Sequence, residues 1–153
     1  MDHEEPQAPP EAALHGALLD LAYAMSGSRV HTRLRTEAEV PVDRAGLALL
    51  RILTAADGPL RMGELANALM VRASHVSREV RNLQRRGLVD LLPEAGDLRV
   101  RRITATPRGR ELVSRAEAAS QGWLNDALGD FSAEELRITA AVIRRIVDTY
   151  RRE

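Results

Sequence analysis

The stretch from Met62 to Thr104 limits the possible fold most, because the spacing of its hydrophobic residues changes from helical to strand-like along it. Its first part holds two short helical patterns, Met62 to Leu69 and Ala73 to Arg86. Val76 lies ten residues after the small Ala66, which is the spacing of a helix-turn-helix. In the second pattern, three apolar residues share one helix face and are predicted to pack inward: Val76, Val80 and Leu83.

The second part of this stretch predicts a β-hairpin. Residues Leu88 to Leu92 and Arg99 to Thr104 are strand-like, and the turn-forming segment 93–97 joins them. Gly87 stands between helix and hairpin, where a glycine commonly ends a helix. The expected fold class is therefore mainly α, with a small β-hairpin.

Further helices are predicted on both sides of this stretch. Each begins where the sequence favours a helix start: Glu11, Asp43, the Thr106-Pro107 pair, and Ser132 with its capping-box partner Glu135. The first helix, to about Thr36, has one apolar stripe, and the second is apolar on most sides and predicted to be buried. The helix that begins at the Thr106-Pro107 pair is predicted to end near Leu128. Residues 1–10, with three prolines, predict a flexible tail.

The charge of the chain is zero overall but unevenly distributed. From Arg61 to Arg110 there are eleven arginines against five acidic residues, a local charge of +6. All 22 basic residues are arginine, which suits bidentate contacts with phosphates and base edges, although a GC-rich genome is the simpler explanation of that usage. The basic middle third favours a nucleic-acid partner.

The candidate DNA contacts lie on the second short helix and on the hairpin. An arginine-rich helix face alone is usually only solvated, but here a preceding helix and a basic hairpin favour DNA. The predicted contacts of the helix with a major groove are Arg72, Ser74, His75, Ser77, Arg78 and Arg81. Those of the hairpin with an adjacent minor groove are Asp97, Arg99 and Arg101, with Arg102 beside them. Asp97 is predicted to orient the Arg99 guanidinium.

Two segments, GELANALMVRASHVSREVRNLQRRGLV and DLRVRRITATPRGREL, resemble the MarR family of winged helix-turn-helix regulators. The resemblance extends over nearly the whole chain, from Glu11 to Arg152. In the second segment, four residues fall at the spacings of that family: Asp97, Arg99, Thr106 and Gly109. Met70 departs from it, since the family usually has glycine or a small polar residue there, and Ala105 replaces a frequent leucine.

The resemblance implies a homodimer. Residues 11–36 and 107–153 would form the dimerisation helices, and residues 43–106 the winged helix-turn-helix lobe that binds a pseudo-palindromic duplex. It also implies a transcriptional regulator, commonly a repressor, that a small phenolic or anionic effector releases from DNA. The alternative is an architectural DNA binder or a protein-interaction module without an effector. His15 and His31 lie near the family's effector region and receive no assigned role.

The sequence also argues against several other classes of protein. Without cysteine there is no disulfide, thiolate zinc site, cysteine nucleophile or thiol switch. Four scattered histidines have no metal-ligand spacing, so no metal or cofactor is predicted. No phosphate-binding loop or nucleophile elbow is present, so no enzyme is predicted. No signal-peptide pattern or membrane-length apolar run occurs, which predicts a cytoplasmic protein without a membrane partner.

Overall fold

The computed structural model describes residues 9–27, 32, 36 and 39–152. The helices are α1 (Pro10–Ser26), α2 (Arg44–Ala55), α3 (Met62–Leu69), α4 (Ala73–Arg85), α5 (Pro107–Ala127) and α6 (Ala133–Tyr150). The strands are β1 (Leu60–Arg61), β2 (Val89–Glu94) and β3 (Asp97–Ala105). The expected class, mainly α with a small sheet, is confirmed.

The hydrophobic core lies between α2, the α3–α4 pair, the sheet and the first half of α5. All of its buried apolar residues fall within residues 40–116. Helix α2 is central, as predicted, since Leu49 and Leu50 are fully buried. Asp43 caps this helix by accepting a hydrogen bond from the Gly46 N–H at 2.8 Å. The core is thus built around one buried helix.

Helices α3 and α4 form the predicted helix-turn-helix. Val76, Val80 and Leu83 of α4 are no more than 1% exposed, which confirms their inward face. The helix ends at Arg85, and Gly87 after its cap has a φ of +68°, the left-handed conformation that glycine adopts without strain. The N–H groups of Gly87 and Leu88 donate to the carbonyls of Gln84 and Leu83, at 2.9 and 3.0 Å, in a Schellman motif.

The three strands form an antiparallel sheet in the order β1-β3-β2. The hairpin between β2 and β3 is tighter than predicted, because the strands extend to Glu94 and Asp97 and leave a turn of Ala95 and Gly96. Pro93 lies within β2 instead of in a loop, which an edge strand tolerates because one side of its backbone is unpaired. Strand β1 was not predicted, since two residues carry no periodicity.

Helix α1 begins at Pro10, within the predicted tail, and ends at Ser26, ten residues before the predicted end. Gly27 has extended backbone angles, and glycine is the least favourable helix residue after proline. Thr32 and Thr36 are helical again, and the Thr36 hydroxyl donates to the Thr32 carbonyl at 3.0 Å. The other residues between 28 and 38, including His31, lie outside the described residues, as does the predicted tail up to residue 8.

The starts of the last two helices confirm their predicted caps. Thr106 accepts from the Gly109 N–H at 3.1 Å, and Ser132 and Glu135 form the capping box of α6. Neither α1 nor α6 buries a residue within the single chain. Over the described ranges, each helix is too short or too polar to cross a membrane.

Candidate nucleic-acid interface

The exposed face of α4 carries a row of polar and basic side chains. Ser74, Arg78, Arg81 and Arg85 recur at three- or four-residue spacing and are all exposed, opposite the buried valines of the same helix. With Gln84 they border a shallow open groove. Gln84 was not among the predicted contacts, although its position, three residues after Arg81, places it at the side of the same helical row. This face presents a continuous surface of hydrogen-bond donors to solvent.

The first turn of α4 holds the other predicted contacts. Arg72 is the N-cap residue, and its exposed side chain makes no capping hydrogen bond. His75 is exposed as well. Ser77 is partly buried, and its carbonyl accepts from the Arg81 Nε at 3.2 Å, which directs Arg81 along the helix. A helix N-terminus with unpaired N–H groups and adjacent guanidiniums is a favourable environment for a phosphate.

The hairpin carries the predicted Arg99 and Arg101 on β3. Both are exposed, and because they are two residues apart along a strand they project from the same face. Asp97 does not orient the Arg99 guanidinium as predicted. Its Oδ1 instead accepts from the Arg99 backbone N–H at 2.9 Å, because an aspartate side chain readily bonds the backbone N–H two residues further along. Asp97 therefore shapes the end of the hairpin and leaves the guanidinium in solvent.

Arg102 differs from the neighbouring arginines, because its guanidinium is committed to contacts within the protein. It donates to Glu94 at 2.8 Å and to the Pro59 carbonyl at 3.0 Å. Glu94 also accepts from Arg61, through Nε at 2.9 Å and through Nη2. The prediction that Arg102 belongs to the basic hairpin surface is wrong, since its side chain is held by this carboxylate.

Glu94 is the centre of this group of charges. Its side chain is only 14% exposed. Hydrogen bonds from Arg61 and then Arg102 lower the pKa of the Glu94 carboxyl from 4.5 to about 2, so it is ionised at neutral pH. Sequence reasoning missed the cluster, since Arg61 and Glu94 are far apart in the chain and no motif links them.

The arrangement places separate positive groups on two adjacent elements. Across the described part of the chain, no carboxylate forms a salt bridge with Arg78, Arg81 or Arg85 of α4, or with Arg99 or Arg101 of β3. Nor does that part contain three or more histidines or acids clustered as metal ligands. The chemistry of this surface is recognition of an anion by hydrogen bonds and charge. Its architecture, a helix-turn-helix followed by a β-hairpin, defines a winged helix-turn-helix protein.

Comparison with known proteins places the chain within this class. The family model described as MarR family matches residues 42–99. An uncharacterized HTH-type transcriptional regulator of Mycobacterium bovis, Mb0904, is 31% identical over 132 residues, which cover 84% of this chain and 91% of that protein. The chain belongs to the MarR family of transcriptional regulators.

Two other similar proteins bear on function and fold. The transcriptional activatory protein BadR of Rhodopseudomonas palustris is 30% identical over 109 residues, covering 71% of this chain and 62% of BadR. The structure of FabT from Streptococcus pneumoniae, crystallised in complex with DNA, superposes with a TM-score of 0.72 at 15% identity, covering 91% of this chain and 96% of FabT. At that identity the likeness establishes the fold.

Proposed function

We propose that this protein regulates transcription by binding duplex DNA sequence-specifically as a homodimer. The observation that carries the proposal is the exposed row on α4, from Ser74 to Arg85, beside a hairpin with two free arginines, Arg99 and Arg101. The family membership supports it, as does the FabT–DNA complex of the same fold.

The two elements suit two different grooves of DNA. Helix α4 is buried on one face and basic on the other, so its outer face can enter a major groove while the fold stays intact. Arg78 lies in the second turn of α4, where a guanidinium reaches the two acceptors of a guanine edge. The hairpin ends in the two-residue Ala95-Gly96 turn, and the exposed Arg99 and Arg101 follow it, where they can enter a minor groove beside α4.

The proposed dimer rests on the surfaces of α1 and α6. These helices border an apolar groove of about 350 Å³. None of its lining residues is charged: Leu14, Ala17, Leu18, Leu21, Ile138, Thr139, Val142 and Ile143. A monomer that leaves so many leucine, isoleucine and valine side chains open to water is unfavourable, and a second copy would cover them. We therefore assign this surface to the subunit contact.

Release from DNA by a small-molecule effector is the remaining part of the proposal. Because the α1–α6 groove has no basic lining residue, the part of it at the edge of the subunit contact favours an aromatic compound such as a phenol over a small inorganic anion. Binding beside the subunit contact would change the spacing of the two α4 helices and so weaken DNA binding. Repression is the proposed outcome on DNA, and the name of the relative BadR shows that activation also occurs among similar proteins.

The first experiment measures binding of the purified protein to its own upstream DNA and to a scrambled duplex, at two salt concentrations. Changing the salt separates specific contacts from phosphate attraction. We expect binding of two subunits to a pseudo-palindrome, at least about a thousandfold tighter than to scrambled DNA. Weak and equal binding to both duplexes would instead favour the architectural or protein-interaction alternative.

The effector is tested by repeating the titration with a panel of phenolic and anionic compounds. We expect at least one phenolic compound to weaken binding to the specific duplex without unfolding the protein. An affinity that stays constant across the panel would contradict this part of the proposal and leave DNA binding itself unaffected.

A further inference from the structure

The Arg61–Glu94–Arg102 cluster joins parts of the lobe that the chain connects only through long segments. Glu94 is the last residue of β2, directly before the turn of the hairpin. Arg61 is the N-cap residue of α3, and its backbone N–H donates to Glu64 at 2.6 Å. Arg102 lies on β3 and also contacts the Pro59 carbonyl. One carboxylate therefore connects the hairpin to the start of the helix-turn-helix.

The position of this carboxylate fixes the direction of the hairpin relative to α3. Strand β1 pairs with β3 through only two residues, Leu60 and Arg61, so backbone pairing alone is a short attachment. The register between β2 and β3 also shifts between Pro93 and Glu94, where the hairpin departs from regular pairing. At that point the two guanidiniums hold Glu94 from the side of β1 and from β3. The two ion pairs of Glu94 therefore add contacts where the backbone pairing of the sheet is least regular.

The same contacts occupy two arginines beside a surface where the other arginines are free. A free guanidinium next to DNA binds phosphate irrespective of sequence, and each such contact raises non-specific affinity. Arg61 is half exposed and Arg102 is one-third exposed, so both lie within reach of solvent once released from Glu94. An ion-paired arginine contributes far less to phosphate binding, because its charge is already compensated.

We propose that Glu94 is a positioning residue that helps the protein to distinguish specific from non-specific DNA. It holds the hairpin in the orientation that binds the specific duplex, and it keeps Arg61 and Arg102 from binding DNA phosphates. This inference rests on the proposed DNA-binding function. It predicts opposite effects of one substitution on two kinds of DNA. A residue that only stabilised the fold would change both affinities in the same direction.

The test compares Glu94→Gln with Asp90→Asn, a matched control that removes one negative charge from an exposed position of the same strand. Binding to the specific and scrambled duplexes is measured over a range of salt concentrations. For Glu94→Gln we expect about threefold to tenfold weaker specific binding and about threefold to tenfold tighter non-specific binding, with a non-specific salt slope steeper by about 1 to 2. For Asp90→Asn we expect neither the loss of specific affinity nor the steeper slope.

A second variant and a second measurement keep the test independent of folding defects. The double variant Glu94→Gln/Arg61→Gln removes one released cation, so its non-specific salt slope should return about halfway to that of the unchanged protein. Hydrogen exchange of the free protein should show faster exchange of hairpin amides in Glu94→Gln and unchanged exchange in α2.

Two results would overturn the inference: Glu94→Gln indistinguishable from Asp90→Asn, or equal losses of affinity for both duplexes. A different result bears on the function itself. If the unchanged protein binds neither duplex, the proposed DNA binding fails, whereas normal specific binding with an inert Glu94 overturns only the role of this residue.

Discussion

The lobe around α2 (residues 40–116) buries its apolar side chains within one chain, whereas α1 and α6, here called the arm, leave theirs exposed. Every buried apolar residue of the described chain belongs to residues 40–116, and the lobe is closed around them. The arm, by contrast, has no buried residue, and its leucines and aromatic residues are open to solvent, as in Leu19 at 58% and Tyr23 at 86% exposed. The lobe buries its apolar side chains without a partner, and the arm does not.

This difference separates stability from assembly. Burial of apolar side chains in the lobe stabilises it independently of protein concentration, because the contacts are within one chain. The arm can bury its apolar surface only against another molecule, so its contribution depends on concentration. Mutations in the two regions should therefore have effects that differ in kind, and the following predictions use that contrast.

The largest effect is expected from removing core volume in the lobe. Leu65→Ala, at a fully buried position of α3, should lower the free energy of unfolding by about 2–5 kcal/mol, because it leaves a cavity among α2, α3 and the sheet. The measurement is chemical denaturation at two protein concentrations, and the loss should be the same at both. Leu21→Ala, at an exposed position of α1 that lines the α1–α6 groove, is the control and should change only the concentration-dependent part. A loss below about 1 kcal/mol for Leu65→Ala would contradict the closed lobe.

A charge in the arm should separate the subunits without unfolding the lobe. Val142→Arg places a guanidinium in the apolar α1–α6 groove, and we expect the dimer dissociation constant to rise at least about a hundredfold. Sedimentation velocity measures the state of assembly, and circular dichroism checks the helices. The matched control Val142→Ile keeps the groove apolar and should remain dimeric. If Val142→Arg sediments like the unchanged protein, the subunit contact lies elsewhere.

The contacts that recognise bases should lie in the lobe. Arg78→Ala should weaken specific binding by about 1–3 kcal/mol and relax the base preference at one position of each half-site. Arg99→Ala should weaken binding at the flanks of the half-sites, and neither variant should alter dimerisation. Titrations against a set of single-base operator variants distinguish the two roles. Equal and sequence-independent losses of affinity in both variants would show that the helix and the hairpin do not have these separate roles.

A smaller effect is expected at the turn between α3 and α4. Met70 has a φ of +54°, a left-handed conformation that is unfavourable for a residue with a side chain, and it is 56% exposed. Relief of this strain is worth about 1–2 kcal/mol, and the entropy that glycine adds to the unfolded chain offsets about 0.5–1 kcal/mol of it. Met70→Gly should therefore raise the free energy of unfolding by about 0.5–1 kcal/mol. Gly87→Ala, at a φ of +68°, is the opposite control and should destabilise by about 1 kcal/mol. Thermal unfolding measures both, and a destabilised Met70→Gly would contradict strain at this turn.

Local signals in the sequence predicted most of the lobe. The caps at Asp43, Thr106 and Ser132 act through hydrogen bonds to residues three positions away, so a short segment of sequence is enough to predict each of them. The inward face of α4 is equally local, because 3.6-residue periodicity sets it. The family resemblance then joined these elements into one architecture.

Other features depend on contacts that no short segment contains. Strand β1 exists because Leu60 and Arg61 pair with Ile103 and Arg102 of β3, which lie far along the chain. Glu94 draws its partners from two different strands, so its role could not be predicted from the residues around it. The predicted length of α1 was wrong for the opposite reason. Its apolar stripe favoured a longer helix, whereas α1 ends at Ser26 and Gly27 after it has extended backbone angles.

The smallest expected effect concerns the contribution of Glu94 to the stability of the lobe. Its folded pKa of about 2 lies below its ordinary value of 4.5, so its ionised form is favoured by folding. The stabilisation is therefore fully present above about pH 4.5 and is lost progressively as the pH falls towards about 2, where the folded protein also binds the proton. The effect is small because the two guanidiniums are half and one-third exposed, so solvent screens their charges.

Comparing Glu94→Gln with the unchanged protein across this acid range isolates the contribution. The difference in their unfolding free energies should be constant from neutral pH down to about pH 4.5 and should then shrink. The same variant in a Val142→Arg background should give the same curve, because the cluster belongs to the lobe and is independent of assembly. A curve that changes when the subunits separate would mean that the lobe and the arm are coupled through the hairpin. The stability of the lobe would then depend on assembly, contrary to the contrast drawn between the two regions.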